Sequence, residues 1–360
     1  MGKVRAFTPA DIDEIAALHR EGFLRGVVDE PSEAHRSYFQ AVFFDNPWHD
    51  TGLPSLVFED DGGSLEGFLG IVPRRLRFGD QPIVAAVSTQ FLVRPESRSK
   101  LAGIELMRAF LGGDQDLSIA DEGNDYSRRI WERLGGSTML LPSVSWAKAL
   151  RPVRHFQSKV QARKGLGWTR AFGPIANALD GLVNSGASPL SVRRPDGIES
   201  SPMDASDLHE WLTARRPQPP IRSDYTLEAL GWLLHRYDHG PWVLEQRSVR
   251  DEAGAWVGCY LYCHKTDGLA EVLYCEAVPG AEPAVFDSMI ADAHESGAAL
   301  LWGKVTPALI RPVSLSRCWF HTVQRWTLVA SRRADIRSVL QDGQSVLTRL
   351  EGEYPTAFHI

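Results

Sequence analysis

Apolar and polar positions follow two rhythms along this chain, one of period two and one near 3.6, and they alternate in blocks. Val4–Phe7 is a short apolar run that predicts a strand. Thr8 and Pro9 follow as helix cap and first helical residue, and Ile12, Ile15, Leu18 and Phe23 then recur at helical spacing. Glu33–Phe44 reads as a second helix. Leu56–Glu59 and Glu66–Val72 are strands joined by Asp60-Asp61-Gly62-Gly63, a turn rich in residues that accept positive φ. Ile83–Val93 is a longer strand that stops at Arg94-Pro95. Beyond it come a helix over Ala102–Leu111, a short strand over Asp116–Ala120, a helix over Asn124–Leu134 and a strand over Ser137–Ala147. The order is β-α-α-β-β-β-α-β-α-β, a mixed α/β pattern.

Residues 151–195 break the rhythm. Arg151, Arg154, Lys159, Arg163, Lys164 and Arg170 gather there with few acids, which reads as a basic connector. After it the first pattern returns in weaker form. Asp204–Leu208 echoes Asp11–Ile15, Pro241–Glu245 and Ala255–Leu261 echo the first hairpin, and Leu269–Ala277 echoes the long strand. Ala284–Ser296, Ala298–Trp302, Pro307–Leu315 and His321–Ser331 complete the series as helix, strand, helix and closing strand. Repetition at this scale implies two copies of one fold, so the expected division is a domain over 1–150, a connector over 151–195 and a domain over 196–360.

Composition narrows the class without naming a function. The 360 residues are 43% hydrophobic and 23% charged, which suits a folded globular chain. A formal charge of −6 argues against general nucleic-acid binding, which rests on neutralising phosphates. No apolar stretch follows the N-terminal Met1–Arg5, no run is long enough to span a bilayer, and Ala6 stands where a myristoylation motif needs Ser or Thr; the expectation is a cytoplasmic protein with no membrane partner. Cys259, Cys263, Cys275 and Cys318 lack the paired spacing of a zinc site and read as buried thiols, so no metal is expected.

Chemistry concentrates where the long strand hands over to the helix, in Phe91-Leu92-Val93-Arg94-Pro95-Glu96-Ser97-Arg98-Ser99-Lys100-Leu101-Ala102-Gly103-Ile104. The free N–H groups of a helix's first turn bind anions, Ala102 and Gly103 let a phosphate approach the backbone, and Arg98 and Lys100 add charge. This stretch resembles the GNAT superfamily of N-acyltransferases, whose fourth strand ends in an apolar-Val pair, then Pro and an acid, then Arg/Gln-x-x-Gly-x-Gly/Ala. Here the corresponding residues are Leu92-Val93, Pro95-Glu96 and Arg98-x-x-Leu101-x-Gly103, with Leu101 replacing the first glycine. Downstream, Asn124 matches the family's cofactor-contacting Asn. Trp131 stands where the family has a Tyr acid, a job indole cannot do, and helix geometry turns Tyr126 about 140° from that position. The resemblance covers residues 3–147 and implies an α/β fold of two GNAT-like units, each a mixed, mostly antiparallel twisted sheet flanked by helices. The C-terminal copy has Glu282 where a phosphate would sit and is expected not to bind CoA.

The resemblance implies direct transfer of an acyl group from acetyl-CoA or another acyl-CoA, the co-substrate, to a primary amine of a small molecule or peptide. Leu92, Val93, Arg98, Ser99, Lys100, Leu101, Ala102, Gly103, Ile104 and Asn124 would hold the donor, with the Val93 N–H polarising its carbonyl. The strand Ala85–Gln90 carries no acid, so Asp121 and Glu122 are the candidate bases; the plainer reading of both is a helix N-terminal cap and first-turn acids before Asn124. His19, His35 and His49 are candidates by type alone, and the Ile360 carboxylate could also reach a cleft. Two alternatives stay open. The donor could be an acyl carrier protein, whose arm lacks CoA's pyrophosphate and which the basic connector could dock, or the chain could be a non-catalytic binding protein on a decayed fold. Monomer and homodimer are both compatible with the sequence.

Overall fold

The computed structural model describes residues 2–23, 32–94, 101–153, 192–214, 217–237, 242–322, 325–343, 345 and 347–357. Arg98, Ser99, Lys100, most of the basic connector and Ile360 lie outside the described residues. The chain forms two compact units, one gathering 1–140, 218–232 and 324–359, the other 141–217 and 233–323.

The first unit is built on β1 (Lys3–Ala6), β2 (Leu56–Glu59), β3 (Leu65–Phe78), β4 (Gln81–Val93), β5 (Leu117–Gly123) and β6 (Ser137–Met139). The β2–β3 hairpin closes as expected: the Asp60 carboxylate accepts from the Gly62 and Ser64 amides, and Gly63 takes φ +85. Helices α1 (Ile12–Phe23) and α2 (Glu33–Phe43) cover one face of the sheet, and α3 (Ala102–Leu111) and α4 (Asp125–Arg133) the other. Phe7, Ile15, Phe39, Val42 and Phe68 make the first core layer; Leu106, Phe110, Trp131 and Leu328 belong to the second. Each such side chain contributes about 1.5–3 kcal/mol on burial. Strand β3 runs six residues past the expected Val72, because Arg74, which breaks the apolar pattern, is itself buried and stacks 4.2 Å above the Trp48 ring.

The two expected closing strands are each split. Ser137–Ala147 becomes β6 and β7 (Ser145–Ala149), and β7 lies in the second unit's sheet. That sheet also holds β8 (Ile198–Pro202), β10 (Trp242–Asp251), β11 (Trp256–Lys265), β12 (Leu269–Ala277), β13 (Leu300–Lys304) and β14 (Trp319–His321), whereas β9 (Ile221–Ser223) joins β3 in the first. Of His321–Ser331, only His321 belongs to β14, while Trp326–Ala330 forms β15, which inserts between β5 and β6 of the first sheet. The orders are β1-β2-β3-β4-β5-β15-β6 and β8-β10-β11-β12-β13-β7-β14. Position by position they are the same sheet, with the sixth place filled in each by a strand from the other half of the chain. The expected repeat is therefore present, but the boundaries drawn at 150 and 196 do not coincide with the compact units. Local pattern marks a strand; only long-range pairing decides which sheet takes it.

Helices α5 (Ala205–Ala214), α6 (Leu227–Tyr237), α7 (Glu282–Glu295) and α8 (Ile310–Leu315) follow in chain order. Helix α9 (Ala334–Gln341) packs Ile336 and Leu340 against Ile83, Val87 and Leu117 in the first unit. Trp146 of β7 is fully buried among Tyr260, Phe286 and Met289 in the core of the second. No helix among the described residues is long and apolar enough to cross a membrane. Cys259, Cys263 and Cys275 are buried thiols and Cys318 a half-buried one, none of them in a disulfide. Among the described residues no group of three or more His, Cys, Asp or Glu could hold a metal ion.

Candidate active site

Strands β4 and β5 of the first unit run parallel but pair only over Ala85–Val87 and Leu117–Ile119. Both continue past that ladder, β4 to Val93 and β5 to Gly123, so a gap opens between them toward their C-terminal ends. The cause on the β4 side is a bulge. Phe68 pairs with Leu92 and Gly70 with Thr89, so Gln90 and Phe91 together face Leu69 alone, and Gln90 takes φ +52. On the β5 side the strand follows β15 instead, through Ala120–Leu328 and Gly123–Trp326. The Arg94 amide donates to the Glu66 carbonyl at 2.9 Å. Alternation along an antiparallel ladder then turns the Val93 N–H the other way, toward the gap.

At the far end of β4 the chain enters α3. Leu101 precedes the helix at φ +64, with its side chain 56% exposed. This left-handed conformation is the one a glycine adopts without strain, and a leucine there costs about 1–2 kcal/mol. The helix's own ladder begins where the Ile104 and Glu105 amides donate to the Leu101 carbonyl, so the amides of Ala102 and Gly103 face out of its N-terminal end. A methyl group built on Gly103 would sit 3.2 Å from the Phe91 ring and 3.2 Å from the Tyr126 hydroxyl, so the approach there is tight. Tyr126, set aside on sequence spacing, thus stands over the first turn of α3, half exposed. Trp131 is fully buried, and its indole N–H donates to the Val329 carbonyl of β15 at 3.0 Å. Asn124 caps α4, its side-chain oxygen accepting from the Ser127 amide at 2.9 Å.

The end of β5 is clasped by residues 347–357, which sequence reading passed over. Asp121 accepts from the Glu353 amide at 2.6 Å, while the Glu353 carboxylate accepts from the Glu122 amide at 2.7 Å. Glu122 is gripped by Arg349 at 2.6 Å and Arg325 at 2.9 Å. Arg349 is 1% exposed and lies 4.3 Å over the Tyr354 ring. The Tyr38 hydroxyl of α2 donates to the Thr356 carbonyl at 2.7 Å. The clasp therefore reaches from β5 to the α2 face of the unit. Its charged sequence resembles a solvated tail, and only contacts more than two hundred residues apart reveal its role.

Two histidines that were candidates by type alone are brought together on that same face. His19 Nε2 lies 2.7 Å from Gln90 Oε1, and His35 Nε2 lies 3.1 Å from His19 Nδ1. Both rings are almost fully buried, and burial lowers the pKa of each. His35 is pushed down to about 4, with His19 and the Arg20 guanidinium adding to the effect. His49 is apart from them, exposed, with Nδ1 3.1 Å from the Phe43 carbonyl.

No protein-family model and no curated protein matches the sequence. Solved structures do. A GCN5-related N-acetyltransferase from Anabaena variabilis superposes with a TM-score of 0.57 at 14% identity, over 91% of this chain and 72% of that one. A probable N-acyltransferase from Enterococcus faecalis gives 0.57 at 11%, over 92% and 73%. A GCN5-related N-acetyltransferase from Kribbella flavida gives 0.55 at 12%, over 95% and 73%. The fold is that of the GCN5-related N-acetyltransferases.

Since these matches span nearly the whole chain, the N-acetyltransferase fold extends through both units, in keeping with their shared strand order. The second copy repeats the short parallel ladder, pairing Leu269–Glu271 with Leu300–Trp302. Just past this ladder the two strands stay in close contact. A methyl group on Gly303 of β13 would meet Val272 of β12 and the Trp146 ring, each at 3.1 Å. Ahead of α7 the Glu282 carboxylate already accepts from the Gly280 amide at 2.8 Å. An acid of the chain's own thus occupies the N-terminal end of the helix that corresponds to α3.

Proposed function

We propose that the first unit transfers an acyl group from acyl-CoA, acetyl-CoA in the first instance, to a primary amine, and that the second unit binds no donor. The observation that carries the reading is the parting of β4 and β5, with the Val93 amide turned into the gap and the Leu101–Gly103 turn at its end. A donor's thioester fits the gap, and its pyrophosphate fits the first turn of α3, where Arg98, Ser99 and Lys100 adjoin in sequence. The neutral amine attacks the thioester carbonyl; the C–N bond forms as the C–S bond breaks. The carbonyl oxygen gains charge in between, and an N–H donor fixed in place stabilises it. The amine loses one proton and the departing thiolate takes one up. The candidate bases are the two β5 acids, both held by the C-terminal segment: Asp121 accepts from the Glu353 amide and Glu122 pairs with Arg349 and Arg325.

Leu101 gives weight to a second donor. At φ +64 and exposed, Leu101 carries a side chain where the family pattern has a glycine hydrogen, which favours the single phosphate of a carrier-protein arm over a pyrophosphate. Thermal-shift titration separates these readings, because a ligand that binds only the native state raises its melting temperature. CoA and acetyl-CoA are expected to stabilise the protein, and Arg98→Glu to abolish the shift. Stabilisation by acylated carrier protein alone would transfer the assignment to the second donor. Absence of any shift at millimolar CoA and with carrier protein would remove the acyltransferase reading.

A further inference from the structure

Gln90 is the polar side chain that the β4 bulge re-aims. Its left-handed φ and its place past the last β4–β5 pair set it beside the gap, half-buried, while Ser88 and Thr89 before it are buried. Its carboxamide is held from behind by two imidazoles in series. A neutral imidazole has one donor and one acceptor nitrogen. With Gln90 Oε1 facing His19, the His19 Nε2–H donates to it, so His19 Nδ1 must accept, and His35 Nε2–H supplies that bond. The series then has one direction, and it leaves the Gln90 NH2 group as the outward end. Protonating either ring would place two donors face to face or force a tautomer change. Burial opposes that, as does the charge of Arg20; among the described residues Tyr38 also lies near, 6.4 Å from His19 between ring centres.

We propose, resting on the acyltransferase reading above, that Gln90 donates a hydrogen bond to an oxygen of the acceptor, and that His19 and His35 are positioning residues that fix the donor end of its carboxamide toward the cleft. The acceptor class that follows is an amine carrying a carbonyl or carboxylate oxygen close to its nitrogen, an amino acid or peptide-like compound, in preference to a simple alkylamine. A site built to donate to an oxygen discriminates against a molecule that lacks one, because the donor is left unpaired.

The test measures release of free thiol from acetyl-CoA with glycinamide and with propylamine as acceptors, compared at equal concentrations of free base. Wild-type protein is expected to prefer glycinamide in kcat/KM. Gln90→Leu should reduce that preference, as a ratio of the two kcat/KM values, about tenfold, the scale of one hydrogen bond, with acetyl-CoA binding followed by calorimetry as the check that the variant is folded. His19→Phe should reduce the preference in the same direction; loss of packing alone lowers the melting temperature and does not alter a ratio between two acceptors. An equal preference in wild type and Gln90→Leu with acetyl-CoA still bound, or transfer to neither amine, overturns the proposal and leaves the donor reading standing. Failure of the wild type to bind acetyl-CoA defeats the donor reading itself, and this proposal with it.

Discussion

Individual residues carry most of the chemistry here, and several do so because of burial that their type does not announce. His35 is the clearest case. An unfolded histidine protonates near pH 6.5, whereas in the fold His35 is held down to about 4. Above 6.5 neither state binds the proton. Between 6.5 and 4 the unfolded chain takes it and the fold does not, so stability falls as the pH falls through that window; below it both are protonated and the slope ends. His19 is shifted in the same direction and adds to the effect. The urea midpoint is therefore expected to drop between pH 7.5 and 5, and His35→Gln should show a shallower drop. Equal drops in the two proteins would place the acid sensitivity elsewhere. Leu101 and Gln90 show the complementary point. Both hold a positive φ without being glycine, and both stand where the donor and acceptor are proposed to meet the chain.

At the level of elements, the strand–helix pairs were legible because their periodicity is strong. Ala102–Leu111 falls where hydrophobic spacing puts it, and α4 lies within the expected Asn124–Leu134, with Asn124 as its cap. The C-terminal clasp was not legible, since Arg349, Glu351 and Glu353 have the look of a solvated segment, and the contacts to Glu122, Ser223 and Tyr225 that tie it down come from distant parts of the chain. Trp131 teaches a related lesson. Motif spacing aligns it with a catalytic position, but its full burial and its bond to Val329 make it a core residue joining α4 to β15. The clasp is open to direct trial through Gly352, where a methyl group would lie 2.1 Å from the Asp121 carboxylate. Gly352→Ala is expected to cost about 2 kcal/mol, seen as a lower melting temperature and faster proteolysis near the C-terminus. An unchanged proteolysis rate would mean that the clasp opens freely in solution.

For the whole molecule, the reciprocal strand exchange has a practical consequence. A fragment ending at residue 150 keeps β1–β6 but lacks β15, so β5 and β6 lose the strand that stands between them and the Trp131 indole loses its acceptor. Such a fragment is expected to be insoluble or to unfold without a cooperative transition, followed by circular dichroism. Supplying a peptide covering 324–357 should restore the transition. A fragment that folds on its own would show that β15 is dispensable to the first sheet.

Taken by itself, the amino-acid sequence determined the element types, the repeat, the mixed α/β class and the turn where an anion could sit, since each of these follows from spacing within a few residues. Tertiary structure alone decided which sheet receives β7 and β15, what clasps Asp121 and Glu122, and which histidines touch. Those outcomes depend on pairing between positions up to hundreds of residues apart, and short-range periodicity holds no record of which distant strand or charge will arrive.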